Sequence, residues 1–399
     1  MTELTLGEFT SVLSYLIDNN HKLIDNRDTP ISVCLEGDAG LGKTSVVKQL
    51  ADAKGMTFVK INLAQIEEPA ELIGFPYKEF KIIDDNGEHW VSAEILQSLS
   101  NYVPTTESRM SYAVPSWVPN EFNPNGTILL LDDFSRANSL IIQAVMEIIN
   151  TGSYLSWKLP KYTNVCLTSN PDNGQFNVLS LDNAVKSRMI TFNGKFDIKE
   201  WAQWAENFGI DGRAINFALL YETELFQPQN NVILANARNY TTFCRAISSL
   251  ENWSSSESLA MILQIASGCF LEKENILGSL FTTFINNRLD KLISPDEMIN
   301  GSWDKVSIKL KESIYEGDNF KANVASILGL RFLNYCNRHL GTDRAPSNLV
   351  EQRITDLLTS ETQLFSKDIL YHIVKVLCKQ HVAKTNKWFL NKHIREIAL

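Results

Sequence analysis

The feature that most constrains this chain is an eight-residue stretch, Gly37-Asp38-Ala39-Gly40-Leu41-Gly42-Lys43-Thr44. It satisfies G-x-x-x-x-G-K-[ST] and lies between a β-rich run, Ile31 to Leu35, and a helical pattern, Ser45 to Lys54. In that setting the glycines let backbone N–H groups turn inward around phosphate oxygens, and the positive end of the following helix adds to the field. Lys43 is then placed to reach the outer phosphates and the Thr44 hydroxyl to bind Mg²⁺. Gly37 to Thr44, with Ser45, are therefore the candidate phosphate-binding residues. A second β-rich run, Thr57 to Leu63, completes strand, crossover helix, strand, the opening of a parallel sheet.

The pattern after that sheet opening is less regular. Apolar alternation from Lys78 to Trp90 surrounds Asp84-Asp85-Asn86-Gly87, a turn signal that predicts a projecting hairpin. The Pro-, Ser- and Asn-rich segment Tyr102 to Gly126 reads as a long connector. Thr127 to Leu131 is an unbroken apolar strand for the middle of a sheet buried on both faces, followed by a helix from about Asn138 to Asn150. Gly152 to Lys158 reads as a short hairpin, and Val165 to Thr168 as the next core strand. From about Ile198 the chain is mostly helical, with segments at Trp201 to Asn207, Ala214 to Leu225 and Tyr240 to Leu250.

A chain of 399 residues, 44% apolar, can bury an α/β core and a second domain. The net charge of −9 argues against a surface devoted to sequence-independent capture of nucleic acid. The six cysteines show no CxxC pair or zinc spacing and read as reduced core residues. An acidic N-terminus without a signal peptide, and an apolar stretch at Leu259 to Leu271 that is too short to span a bilayer, predict a cytoplasmic protein; that stretch reads as a buried helix. Six basic residues interleaved with Trp388 and Phe389 near the C-terminus, Lys375 to Arg395, read as an amphipathic helix with a solvated face.

At the end of the strand Thr127 to Leu131 stand two carboxylates, Asp132 and Asp133, on the edge where open α/β sheets bind ligands. Asp132 is the candidate for the Mg²⁺ shell, and Asp133 for orienting or activating a water. Asp132-Asp133-Phe134-Ser135-Arg136-Ala137 resembles the D-E-x-N-R-A motif of the MoxR-type AAA+ ATPases, within the dynein-related group. Thr168-Ser169-Asn170-Pro171 resembles their T-x-N-P, Ala184 to Met189 their A-L-x-x-R-F, and Asn236-Ala237-Arg238-Asn239-Tyr240 their T-P-R-S-W. Asn62 to Pro76 is similar to the segment after the family's second strand, and Pro115 to Pro119 to the stretch before its second acidic motif.

The resemblance implies a three-layer P-loop AAA+ domain over residues 1–196, a helical lid over 197–300 and a helical C-terminal region over 301–399. It implies ATP and Mg²⁺ as cofactors, a hexameric ring, and remodelling of a client protein, with a partner bearing a von Willebrand A domain among the candidates. By position, Asn170 is the implied sensor of the hydrolytic water, and Arg188 the arginine finger reaching a neighbouring subunit's γ-phosphate. Arg136 is an additional interface arginine and Arg238 the second sensor in the lid. The two hairpin turns, Asp84 to Gly87 and Tyr154 to Trp157, are implied to face the ring's channel, with Tyr154 and Trp157 gripping a client or packing on their own domain. The chain departs from the family at Asp133, where Glu is usual; the carboxylate is drawn back by roughly one carbon–carbon bond, which implies slower hydrolysis. It also has Ala237 in place of Pro. A nucleic-acid motor and a nucleotide-gated ring with weak hydrolysis stand as alternatives, in a bacterial or phage-encoded setting.

Overall fold

The computed structural model describes residues 3–84, 87–99, 101–171, 183–228, 233–270, 275–286 and 292–398. The chain divides into two compact units, 1–196 and 197–399.

The first unit is built on a six-stranded sheet in the order β1-β11-β2-β10-β7-β3, with every pairing parallel. The strands are β1 (Glu3–Leu4), β2 (Ser32–Glu36), β3 (Thr57–Asn62), β7 (Thr127–Asp132), β10 (Thr163–Ser169) and β11 (Met189–Gly194). Every residue of β7 and of β10 is buried, because apolar residues of each strand feed two different cores. Ile128 and Leu130 pack with α1 (Leu6–Asp25) and α2 (Lys43–Lys54), whereas Leu129 and Leu131 pack with α5 (Ser139–Thr151) on the opposite face. Helices on both faces make the three layers, and explain why these strands read as unbroken apolar runs. Each fully buried Leu or Ile contributes roughly 1.5–3 kcal/mol over its exposed state. Thr5 and Glu8 close a capping box that starts α1.

Strand β11 carries no expectation from the sequence reading, and it matters, because it flanks β2 on the side away from β10. The connector expected over Tyr102 to Gly126 is corrected in its first half. Val103–Tyr112 is strand β6, paired antiparallel with β4 (Pro76–Asp84), which also pairs with β5 (Gly87–Ser92). Polar residues gave this segment the look of a loop, but Thr105, Glu107 and Arg109 have partners across the sheet. Arg109 donates to buried Glu79 at 2.7 Å and lies 4.4 Å over the Trp90 ring. The predicted turn at Asp84 to Gly87 includes Asp85 and Asn86, which lie outside the described residues. Short helices α3 (Pro69–Ile73), α4 (Ala93–Ser98) and α6 (Asn183–Lys186), and the hairpin β8 (Ser153–Tyr154) and β9 (Trp157–Lys158), complete the unit.

The second unit is mainly helical. The single helix expected over Ala214 to Leu225 is instead two, Gly212–Leu220 and Glu222–Phe226, separated at Tyr221. The helix expected to be buried near Leu259 to Leu271 spans Ser256–Cys269 and buries only Ile262 and Ala266, so it is amphipathic; Leu271 lies outside the described residues. One core is aromatic, with Phe217, Phe243, Trp253, Phe281 and Phe284 in mutual edge and tilted contacts. A second runs from Ile293 to Ile394 and takes in Trp388 of the basic tail. Buried Arg331 donates to Glu206 at 3.0 Å and to Asn216 at 3.1 Å, fastening the helices Ile198–Phe208 and Gly212–Leu220 to Ala322–His339. Among the described residues no helix is long and apolar enough to cross a membrane.

Candidate functional site

Strand β2 ends at Glu36, and the glycine loop begins pinned to its neighbours. Gly37 N–H donates to the Ser169 carbonyl at the end of β10, at 3.2 Å. A Cβ at Gly37 would lie 2.9 Å from Leu41 Cδ2 and 3.1 Å from the Gly194 carbonyl, so a larger residue there would require Leu41 to shift and the end of β11 to give way. Gly40 and Gly42 have φ of 84° and 107°, which glycine alone adopts without strain. Gly42 is the N-cap of α2 and, having no side chain, leaves the first N–H groups of that helix without a side-chain cap, the arrangement that receives anions. Asp38 and Ala39 form the outer part of the loop, and Ser45 is exposed in the first turn of α2.

Lys43 is buried, and its ammonium donates to the carbonyls of Gly37 at 2.6 Å and Asp38 at 3.0 Å. A third bond, at 3.1 Å, goes to Oδ1 of Asn170, just past β10. The Asn170 amide then donates from Nδ2 to Asp133 Oδ1 at 3.2 Å. Its backbone is held by Ser135, whose hydroxyl accepts from Asn170 N–H at 3.1 Å and donates to the Asn170 carbonyl at 3.3 Å. One amide thus links the loop lysine to the second acid of β7, with a cation on its oxygen and a carboxylate on its nitrogen fixing its orientation.

Asp132 meets the loop through Thr44, whose hydroxyl lies 3.0 and 3.1 Å from the two carboxylate oxygens. Thr168 donates to Asp132 Oδ1 and accepts from the Asp133 N–H at 3.1 Å, so one hydroxyl spaces the two acids. Lys60, on β3, brings its ammonium to 2.8 Å from Asp132 Oδ2. Burial alone would raise the Asp132 pKa, but hydrogen bonds from Lys60 and Thr168, the Lys60 charge and Thr44 outweigh it and hold the carboxyl below its ordinary value. It is therefore ionised at neutral pH. Asp133 has φ 57° and ψ 39°, the left-handed region that Asp and Asn tolerate far better than longer side chains.

The three arginines lie elsewhere. Arg136 is exposed in the 3₁₀ turn after Asp133, and Arg188 is exposed just before β11, with its guanidinium on the Ala184 carbonyl at 2.6 Å. Arg238 is exposed in the first turn of the helix Ala237–Ala246, in the second unit. Of the hairpin aromatics, Trp157 is buried, donates to the Ile73 carbonyl at 2.9 Å and packs edge-on against Trp117. Tyr154 is half-buried against Tyr112. Both pack on their own domain, and of the two exposed turn residues, Leu155 and Ser156, the apolar one is Leu155, 74% exposed with φ 45°.

Sequence reasoning missed Lys60, Ser135 and the bridging part played by Thr168. The available signal for Lys60 was a lone charge within the apolar run of β3, between Val59 and Ile61. For Ser135 and Thr168 it was only their place inside motifs whose other members were singled out.

The donor set suits a magnesium-bound nucleotide. A hydroxyl and a carboxylate are hard oxygen ligands of the number Mg²⁺ takes from protein when phosphates supply others, and the loop presents N–H groups and a lysine to an anion.

Residues 32–189 match the family described as AAA domain (dynein-related subfamily). Midasin of Giardia intestinalis is 23% identical over 146 residues, 35% of this chain and 2% of that protein. Lon protease of Fusobacterium nucleatum subsp. nucleatum is 41% identical over 44 residues, 11% of this chain and 6% of that protein. The chain spans only a small part of the length of these curated relatives. A RuvB mutant structure from Thermotoga maritima is similar over 89% of this chain and 87% of that one, at 12% identity and a TM-score of 0.36. That family match covers less than half of the chain, and the all-parallel sheet around the glycine loop agrees with a P-loop AAA+ fold for this part of it.

Proposed function

We propose that this AAA+ domain binds ATP with Mg²⁺ at the 37–45 loop and hydrolyses it, as one subunit of a ring that remodels a client protein or complex in the manner of the MoxR-type ATPases. The observation that carries the proposal is the continuous set of contacts from Lys43 through Asn170 to Asp133, beside Thr44 on Asp132, at the carboxyl edge of β2, β7 and β10.

Bound Mg-ATP supplies the phosphoanhydride bond and the charge neutralisation; the chain's residues bind, orient and move protons. Lys43 and the loop N–H groups hold the phosphates, and Thr44 and Asp132 hold the metal's shell. Asp133 takes the proton of the attacking water, and Asn170 keeps Asp133 aimed. Arg188 acts on the γ-phosphate of a neighbouring subunit, a role that its exposure permits. Arg136 serves the same interface, and Arg238 couples nucleotide to the lid. The division into a lid over 197–300 and a C-terminal region over 301–399 follows from the resemblance; the core that runs from Ile293 to Ile394 crosses residue 300. In the 153–158 hairpin the client contact falls to Leu155 rather than Trp157. The formal charge of −9 favours a protein client over a nucleic acid. Six-membered rings and a von Willebrand A domain partner follow from the resemblance.

A second reading, a nucleotide-gated ring with residual turnover, rests on Asp133 in place of Glu. The left-handed backbone at Asp133 and its bond to Asn170 favour an aspartate that already serves, since Glu there adds about 1 kcal/mol of backbone cost. Asp133→Glu is therefore expected to leave kcat within about threefold of the parent, and Asp133→Asn to lower it about 100-fold with ATP binding retained. Phosphate release measured on assembled protein checks both. A large gain in Asp133→Glu would favour the gated ring.

A further inference from the structure

The contact between Lys60 and Asp132 joins a strand at the edge of the sheet to the carboxylate reserved for a metal. On β3, Lys60 pairs with Leu130 and Asn62 with Asp132. Phe58 packs in the same core as Leu130, while Val59 and Ile61 pack in the opposite one with Leu129 and Leu131. Lys60 therefore leaves the sheet on the face that carries Leu130 and Asp132, one pair short of the carboxyl edge, and its stem climbs along the sheet to place Nζ 2.8 Å from Oδ2. The lysine side chain is 41% exposed and the aspartate 10%, so a partly solvated stem delivers its charge to a nearly buried acceptor. The remaining acceptor positions facing the loop are filled as well, Oδ1 by Thr168 and the space between the oxygens by Thr44.

We propose that Lys60 is the resident cation of the metal subsite. While no nucleotide is bound, its ammonium on Oδ2 neutralises Asp132 and competes with a divalent cation for that carboxylate, so that the metal would bind well only together with a nucleotide. This rests on reading the 37–45 loop and Asp132 as a Mg-nucleotide site. A divalent ion and an ammonium on one carboxylate repel each other strongly, so binding of the ion would be opposed for as long as Lys60 stays on Asp132. A nucleotide brings negative phosphates that attract the metal and give the displaced ammonium another anion to face. Free metal brings neither. Lys60 is accordingly a positioning residue that prevents premature loading by metal alone. An ordinary exposed ion pair, by contrast, would contribute little to stability and nothing to metal affinity.

The test uses Mn²⁺ as a paramagnetic probe, titrated against the nucleotide-free full chain and followed by the loss of the free-ion resonance. Lys60→Met is expected to bind Mn²⁺ at least tenfold more tightly than the parent. Adding Asp132→Asn should remove that gain, and Lys60→Arg should behave as the parent. With ATP present, the difference between parent and Lys60→Met should shrink below about threefold. Lys60→Gln serves if the methionine variant melts early. A folded Lys60→Met or Lys60→Gln whose Mn²⁺ affinity stays within twofold of the parent, or falls, overturns the proposal. A fluorescent ADP titration in EDTA, on the same preparations, separates the two readings: no nucleotide binding overturns the site assignment, whereas normal nucleotide binding with unchanged Mn²⁺ affinity overturns only the role of Lys60.

Discussion

Lys43→Ala is expected to abolish measurable ATP hydrolysis and to weaken ATP binding by about 100-fold or more. The lysine is buried, and its ammonium donates to the carbonyls of Gly37 and Asp38 and to the side chain of Asn170. Hydrogen bonds to a charged group are worth about 1.5–3 kcal/mol each, and a factor of 100 in affinity corresponds to about 2.8 kcal/mol. Losing the phosphate contact therefore suffices for the binding effect. The loss of turnover goes further, because Asn170 is released at the same time and Asp133 loses the neighbour that aims it. Lys43→Met keeps the aliphatic stem and should show the same losses, which separates charge from packing. Fluorescent-nucleotide titration and phosphate release measure the two effects, with circular dichroism to verify the fold. Parent-like affinity and turnover in a folded Lys43→Ala protein would contradict the assignment.

The second large effect is expected at Arg188. Its guanidinium is exposed and, among the described residues, donates to the carbonyl of Ala184, four residues before it. A group meant for another subunit's phosphate must be presented in this way. Arg188→Ala should lower turnover about 1,000-fold, the lower end of what an arginine finger contributes, while ATP affinity stays within about threefold. Two outcomes follow from action in trans. Turnover per subunit of the parent should rise with protein concentration as subunits associate. Mixing Arg188→Ala, which keeps its loop, with Lys43→Ala, which keeps its finger, should restore a fraction of the parent rate. If the mixture stays silent while each variant still associates, or if Arg188→Ala retains parent turnover, Arg188 has no such role.

What could be read in the sequence was what is local along the chain. The glycine loop, the strand before it and the helix after it form one continuous segment, and the stereochemistry of Gly40 and Gly42 is dictated by their own backbone. The burial of β7 was legible because a strand facing two cores must be apolar throughout. Asp132 and Asp133 were legible by their place at that strand's end. The parts missed are those that register creates. Lys60 reaches Asp132 only because β3 lies beside β7, and Thr168 spaces the two acids only because β10 lies on the other side. No spacing along the chain encodes either neighbour. Strand β6 was misread because its polar residues face solvent as a loop's would, while its pairing with β4 and contacts such as Arg109 with Glu79 depend on a neighbour in the sheet. Trp157 was given a second reading as a gripping residue because a tryptophan near a turn signal has two uses, and only the packing against Trp117 and the bond to Ile73 decide between them.

The central claim is that the 37–44 loop and Asp132 together receive a magnesium-bound nucleoside triphosphate. Its most direct measurement is a calorimetric titration of the purified full chain with ATP, run with Mg²⁺ and with EDTA, and repeated on Asp132→Asn. Saturable binding near one nucleotide per chain, tighter with Mg²⁺ than with EDTA and losing that metal advantage in Asp132→Asn, is the predicted result. No heat of binding for ATP or any other nucleoside triphosphate by folded protein, or a metal advantage unchanged in Asp132→Asn, would contradict it.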